Sequence, residues 1–437
     1  LRAFVLDMHK NPLMPCHQAR ARKLLKSKKA KVFRMFPFTI ILQQETTNQV
    51  QKVEIKIDPG SKTTGVALVS NQKVIWACNL SHRGSLIKKA LLQRRQVRRS
   101  RRFRKTRYRQ ARFLNRKRIS EWLPPSLMSR VDNVSTWVQK LNSLVRLTSA
   151  CIETVRFDTQ KMQNPEISGI EYQQGELVGY EVREYLLEKF NRKCVYCGAE
   201  NIPLEIEHLH PRSLGGSDKI SNLALACHKC NQKKSNTPLE LFVKDKTNLA
   251  KIKATAKAPL ADTAAVNATR YAIGRAVKEI ILDTSFWSGG RTKCNRTKQN
   301  YQKDHWIDAA CVGTTGENIW LDPNDNILLV QAAGRGNRQK CLVNKFGFPC
   351  SKPRTIKRVF DFSSGDICRL DKSKGKDAGR YVGKISVRVR GDFDIQVPKE
   401  KNKTGKVGAN WQFFKLVQRA DGFAYQMAGT TARAATT

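Results

Sequence analysis

Acidic residues are scarce in this chain: 437 residues carry 36 Asp and Glu against 81 Lys and Arg, a formal surplus of +45. A compact chain so one-sided repels itself unless a polyanion neutralises it, so the expected partner is nucleic acid. No apolar run approaches the roughly 18 residues of a membrane span, and the N-terminus has no signal-peptide apolar region, so a cytoplasmic protein without membrane contact is expected. A disulfide framework is also missing. Of twelve cysteines, four form two Cys-x-x-Cys pairs and eight stand singly, which fits a reducing compartment with one metal site. The chain starts at Leu1, and the low-complexity tail from Ala428 is expected to be disordered. The length allows two to four domains and a sizeable core.

What is present is organised around Ile55 to Ser70, IKIDPGSKTTGVALVS. Val53, Ile55 and Ile57 alternate with Lys52, Glu54 and Lys56, which predicts a half-buried strand ending at Asp58, where Pro59-Gly60 breaks the ladder. Apolar runs from Gly65 to Val69 and from Lys73 to Leu80 follow at hairpin distance, giving a three-strand meander with an acid at the end of its first strand. Asp58 either caps a turn or serves chemistry; alone it does not decide. Ahead of it, residues 1–50 read as a small basic module, in which Pro12 and Pro15 delay a helix until Gln18 and the adjacent Cys16 and His17 are structural.

Between Arg94 and Arg118, fourteen of twenty-five residues are Lys or Arg, and acids, Gly and Pro are absent. Arginine favours helix, so the run predicts a continuous helix that a polyanion orders, the alternative being a disordered basic tail. Phe103, Tyr108 and Phe113 are interleaved for packing or for stacking on bases. A helical pattern follows from Pro124 through Val131, Val134, Trp137, Val138, Leu141, Leu144 and Val145, then a short strand, Ala150 to Val155, carrying Glu153 among apolar neighbours. A buried Glu needs a partner, and Arg156 is one candidate. Gln163 to Gly179 reads as a linker.

Cys194-x-x-Cys197 and Cys227-x-x-Cys230 bracket about thirty residues, a spacing that places four thiolates around one tetrahedral zinc. Between and after the pairs stand Glu207-His208, Pro211-Arg212, Gly215-Gly216, Asn222-Leu223 and Asn231. This string resembles the HNH nuclease pattern on a zinc-clipped ββα-metal fold, with Asn231 where many members have His. Val266, Ala272, Ile273, Ala276, Val277, Ile280 and Ile281 then predict an amphipathic helix, and SGGRTKCNRTKQNY leads to His305 and Asp308, which share a helix face at i and i+3.

Asp58, Glu153, His305 and Asp308, taken together, resemble the three segments of a RuvC-like nuclease of the RNase H fold. With the HNH module inserted before the third segment, the arginine-rich stretch after the first and the Pro12-Leu13-Met14-Pro15 string, nearly the whole chain resembles IscB, a transposon-encoded, RNA-guided nuclease family related to the CRISPR type II effectors. The resemblance implies an α/β fold with this division: residues 1–50 a PLMP domain, 51–88, 123–165 and 251–320 the RuvC-like segments, 89–122 a bridge helix, 166–250 the HNH domain, and 321–437 a β-rich C-terminal domain that contacts RNA and the target-adjacent motif. Within the last of these, residues 365–389 read as two strands joined by a Gly/Lys loop.

The resemblance further implies that Asp58, Glu153 and Asp308 hold two Mg²⁺ ions while His305 relays a water proton. In the HNH site, Glu207 and Asn231 would hold one Mg²⁺, His208 would be the general base, and Asn222 would orient its imidazole; Zn²⁺ there would be structural. Arg94, Arg95, Arg98, Arg99, Arg101, Arg102, Arg104, Arg107, Arg109 and Arg112 would bind a guide (omega) RNA. Target double-stranded DNA is the other implied partner, its paired strand cut by HNH and its displaced strand by RuvC. A monomeric ribonucleoprotein in the prokaryotic cytoplasm, nucleoid-associated when on DNA, is the implied setting. A guide-independent homing or junction-resolving endonuclease and an RNA-binding scaffold are the other classes.

Overall fold

The structure, a computed structural model, describes residues 2–44, 51–103, 122–154, 178–257, 261–322, 326–334, 342, 344–345, 348–352, 358–375, 377–398 and 404–429. They divide into two compact units, Leu1–Thr154 with Thr269–Thr437, and Val155–Ala268.

The first unit opens with β1 (Ala3–Leu6), β2 (Pro12–Cys16), α1 (Gln18–Lys26), β3 (Ala30–Arg34) and β4 (Thr39–Leu42), a sheet in the order β2-β1-β4-β3. His17 is structural, as expected: it is the N-cap of α1, its Nδ1 accepting the Ala19 amide at 3.2 Å. The meander follows as β5 (Glu54–Pro59), β6 (Thr63–Ser70) and β7 (Lys73–Ser81), antiparallel in turn. Asn71 and Gln72 both take positive φ, the turn whose twist matches paired strands.

Strand β5 is not half-buried. Ile55 and Ile57 pack with Val66, Leu68, Trp76 and the helix α3 (Pro125–Asn142), whose Val134, Trp137, Val138 and Leu141 lie in the same core. On the opposite face Ala67, Val69 and Ala77 pack against Trp306 and Ile307. Lys56 is therefore fully buried, its Nζ donating to the Val312 carbonyl at 2.7 Å with Glu54 at 3.5 Å, an arrangement that alternation alone reads as solvent-facing.

Between β7 and α3 runs α2 (Gly84–Arg102), which begins ahead of the expected bridge boundary at 89 and is capped at Phe103. Arg94, Arg95, Arg98, Arg99 and Arg102 line its exposed stretch. Arg104, Arg107, Arg109, Arg112, Tyr108 and Phe113 lie outside the described residues, as do Arg156 and Gln163 to Leu177 of the expected linker.

After α3, β8 (Ser149–Glu153) pairs parallel with β5. The second unit holds α4 (Val178–Lys189), β9 (Leu204–His208), β10 (Leu223–Cys227), α5 (His228–Lys234), α6 (Leu239–Phe242) and α7 (Lys246–Lys257). Its core joins Leu186, Leu204, Leu225 and Leu239 with Ile252 and Ala256 of α7, so this unit runs past the expected boundary at 250.

The chain continues through α8 (Ala261–Lys278), β11 (Thr284–Trp287), α9 (Gly289–Lys298) and α10 (His305–Ala310). Two further strands, β12 (Asn326–Ala332) and β18 (Phe423–Gly429), complete a seven-stranded sheet in the order β11-β8-β5-β6-β7-β12-β18. The segment 321–437 is thus not wholly a separate domain. Of the tail expected to be disordered, Ala428 and Gly429 belong instead to β18, where Ala428 pairs with Ile327, and residues 430–437 lie outside the described residues. The expected strand pair at 365–389 is present as β13 (Ile367–Lys372) and β14 (Gly379–Val387), which with β15 (Asp392–Gln396), β16 (Lys406–Asn410) and β17 (Phe414–Gln418) make a five-stranded sheet around Phe393 and Ile395. No helix among the described residues is long and apolar enough to cross a membrane.

Candidate functional site

Four sequence-predicted residues of the first unit converge. Asp58 stands on β5 next to its end, Glu153 ends the neighbouring parallel strand β8, and His305 and Asp308 open α10. His305 Nδ1 lies 3.4 Å from Asp58 Oδ2. Gly65 allows this approach: a Cβ there would stand 1.8 Å from the His305 carbonyl, so only glycine lets α10 lie across β6.

Glu153 and Asp308 are 8% and 6% exposed. Burial pushes the Glu153 carboxyl well above the usual range, and the nearby carboxylates of Asp58 and Asp308 push it further, against a hydrogen bond from Thr292. Asp308 is raised by burial and by Asp58, while Lys303, Arg296 and His305 oppose the shift. Arg296 Nε is 2.7 Å and Lys303 Nζ 3.5 Å from the Asp308 carboxylate.

The three carboxylates of Asp58, Glu153 and Asp308 form a hard-oxygen donor set with charge for a divalent cation to neutralise, so these residues fit magnesium. They do not close on a single point, since among the described residues only the four cysteines bring three or more His, Cys, Asp or Glu ligand atoms within 4.8 Å of one another.

Sequence reasoning missed the groups behind Asp58. Arg130 of α3, 2% exposed, donates through Nη2 to the Pro59 carbonyl at 2.8 Å and through Nη1 to Thr269. Asn133, one turn on, lies 3.3 Å from His82 Nδ1, and His82 Nε2 lies 2.8 Å from Thr64 Oγ1. Asn133 Nδ2 can only donate, so the ring carries its proton on Nε2. None of these residues belongs to an apolar or acidic pattern that would single it out.

In the second unit the Sγ atoms of Cys194, Cys197, Cys227 and Cys230 all lie within 4.8 Å of one another. Four thiols on such a cluster fit a structural zinc, with no ligand position left open. Strand β9 carries Glu205, Glu207 and His208, and α5 packs across it.

Here the structure departs from the expected arrangement in two respects. Glu207, 4% exposed, pairs with Lys234 Nζ at 2.6 Å and accepts the Tyr196 hydroxyl at 2.8 Å, whereas the Asn231 side-chain amide donates to Glu205 at 2.6 Å. Glu207 and Asn231 are thus engaged with different partners, and as arranged they do not fit one magnesium ion. Asn222 does not touch the His208 ring either: its Oδ1 accepts the His210 amide and its Nδ2 donates to the His210 and Ser217 carbonyls. The ring is held by Asp218, whose Oδ1 stands 2.6 Å from His208 Nε2 and also accepts from Arg212 Nε at 2.8 Å. Hydrogen bonds from Arg212 and His208 hold the Asp218 carboxyl below its ordinary value. Asp218 lies ten residues after His208 in a Gly/Ser loop, where no spacing rule marks it.

Residues 3–175 match the family described as RRXRR protein, and residues 194–237 match the HNH endonuclease family. Over 65 residues the chain is 37% identical to the CRISPR-associated endonuclease Cas9 of Corynebacterium diphtheriae, covering 14% of this chain and 6% of that protein. Similar solved structures include the type II-C Cas9 enzyme from Actinomyces naeslundii, at 15% identity, 42% and 30% coverage of the two chains and a TM-score of 0.16. Another is Streptococcus thermophilus Cas9 in complex with the GGAA PAM, at 13% identity, 60% and 32% coverage and a TM-score of 0.20. The chain spans about a third or less of each of these relatives. The match at 194–237 covers all four cysteines, Glu207, His208, Asn222 and Asn231, so the second unit carries a module similar to the HNH endonuclease family.

Proposed function

We propose that the chain is an RNA-guided DNA endonuclease of the IscB kind, with one hydrolytic centre on each compact unit. One observation carries this reading: an HNH module and a separate sheet-borne cluster of Asp58, Glu153, His305 and Asp308 occur in one strongly basic chain. The order of the central sheet, an antiparallel meander followed by parallel β8 and β11, supports an RNase H-like core for the second centre. Base pairing with a guide RNA would select the target, while the protein reads duplex shape and a short adjacent motif. The arginine-lined helix α2 is the candidate RNA contact.

In the sheet-borne centre, Asp58, Glu153 and Asp308 would hold magnesium, which when bound supplies charge stabilisation for attacking and leaving oxygens. His305, beside Asp58, would take the water proton, and Gly65 fixes its place by admitting α10 against β6. In the HNH centre, Asp218 fixes the His208 imidazole through Nε2 and leaves Nδ1 to accept a proton from water. Asn222 would act one step away by tying the His210 backbone to the loop that presents Asp218. HNH would cut the guide-paired strand and the carboxylate centre the displaced one.

The deciding experiment is to isolate the protein with its copurifying nucleic acid, sequence that RNA, and assay a duplex matching its guide before and after ribonuclease treatment. Cutting that needs the RNA and follows its sequence supports the proposal. Cutting that survives ribonuclease would establish the guide-independent endonuclease instead, and RNA binding without cutting would leave only a scaffold.

A further inference from the structure

Helix α9, GGRTKCNRTK, is docked in an unusual way. Its inward positions are Thr292, Asn295 and Arg296, continued by Gln299 just past its end, a stripe at i, i+3, i+4 and i+7 that is polar throughout. An amphipathic helix ordinarily buries an apolar stripe, and burying polar groups is costly unless each finds a partner. Here each does. Thr292, 2% exposed, donates from its hydroxyl to the Ser288 carbonyl at 3.4 Å. Asn295 donates to the Cys311 and Gly313 carbonyls at 2.9 and 2.8 Å, locking the far end of α10. Arg296 ion-pairs with Asp308 at 2.7 Å and donates to the Tyr301 carbonyl at 3.2 Å. Gln299 accepts the Ile319 amide at 2.6 Å and donates to Gly316 at 2.9 Å. A helix needed only to cover the sheet would have no reason to spend its buried stripe on the Asp308 carboxylate and on the backbone that follows α10.

We propose that α9 is the positioning helix of the carboxylate centre, Arg296 orienting Asp308 and Asn295 setting the distance between α9 and α10. This rests on the reading of that centre as a metal-dependent nuclease site. Arg296 Nε, 2.7 Å from Asp308 Oδ1, holds one oxygen of that carboxylate and so restrains the other, but as a cation it also competes with a metal ion for the group. Its removal is therefore expected to tighten metal binding and to slow the rate.

The test uses the full chain with its copurified RNA. Arg296→Gln and Arg296→Lys are compared with wild type, and Asp308→Asn serves as control. Mn²⁺ binding is measured by calorimetry without DNA, and cutting of each strand of a labelled duplex is followed in Mg²⁺, with unfolding temperatures alongside. Arg296→Gln should bind Mn²⁺ more tightly, by about ten-fold, at the site that Asp308→Asn removes, yet slow one strand's cut, with Arg296→Lys restoring the rate. Wild-type binding and cutting in Arg296→Gln would overturn the inference, as would equal slowing of both cuts with a lowered unfolding temperature. Should Arg296→Gln fail to fold, Arg296→Met is read in its place with the same expected outcomes. Should Asp308→Asn change neither Mn²⁺ binding nor either cut, the carboxylate centre itself is misread and the inference falls with it.

Discussion

Lys234 Nζ and Glu207 Oε1 meet at 2.6 Å with side chains 0% and 3% exposed, a buried ion pair at the centre of the HNH module. Lys234 also donates to the His208 carbonyl at 2.8 Å, and Tyr196 closes the other Glu207 oxygen. Removing one partner leaves the other charge buried alone, so Lys234→Met should destabilise the module by about 3–5 kcal/mol. The double variant Lys234→Met with Glu207→Gln should recover much of that loss. Urea unfolding of the zinc-loaded protein measures both, and a single variant as stable as wild type would refute the pairing.

Zinc removal should act on this unit first. Four thiolates at one point couple folding of the module to metal, so Cys194→Ser or a strong chelator should unfold residues around 190–235 and abolish target-strand cutting. Cutting of the displaced strand should persist in part, because Asp58, Glu153 and Asp308 belong to the other unit. Retained zinc and retained target-strand cutting in Cys194→Ser would show that the cluster is not a zinc site.

His82 gives the first unit a pH dependence. Burial, with the neighbouring Arg130 guanidinium and the His305 ring, holds its imidazole down to about 3, below the ordinary 6.5. The folded protein therefore binds fewer protons here than the unfolded chain. Its contribution to stability is complete above pH 6.5 and is lost as pH falls from there towards 3, with a slope of up to about 1.36 kcal/mol per pH unit. In denaturant titrations between pH 7 and 4, His82→Gln should show a shallower decline than wild type. Identical slopes would mean the histidine is already charged in the fold.

The two centres should be separable. Asp58→Ala removes a carboxylate of the sheet-borne cluster and should abolish one strand's cut while the other continues, giving a nickase. His208→Ala should do the reverse, at a cost of about 10² to 10⁴ in rate as for loss of a general base. Strand-specific end labels on a guide-matched duplex read this directly. Loss of both cuts in either single variant with target still bound would show the centres coupled, and cutting by the double variant would place the chemistry elsewhere.

The chain's own residues determined a good deal. Alternation around Asp58, with two residues free to turn at Asn71-Gln72, specifies the meander because side-chain period and turn twist are local properties. The cysteine spacing names its cluster for the same reason, each pair being held by a few bonds of backbone. What the sequence left open was every property that depends on residues far apart along the chain. That Lys56 is buried follows only once Trp306 and Ile307, some 250 residues on, cover the second face of β5. That β12 and β18 complete the central sheet depends on β7 offering an edge. The partners of His208 and Glu207 turned out to be Asp218 and Lys234 rather than the expected set, because a strand's alternation sends neighbours to opposite faces and the loop and helix that meet each face are chosen by packing. The polar stripe of α9 is the clearest case: hydrophobic periodicity cannot reveal a helix that docks through hydrogen bonds and an ion pair, and only the fold brings Arg296 to Asp308 and Asn295 to the Cys311 carbonyl.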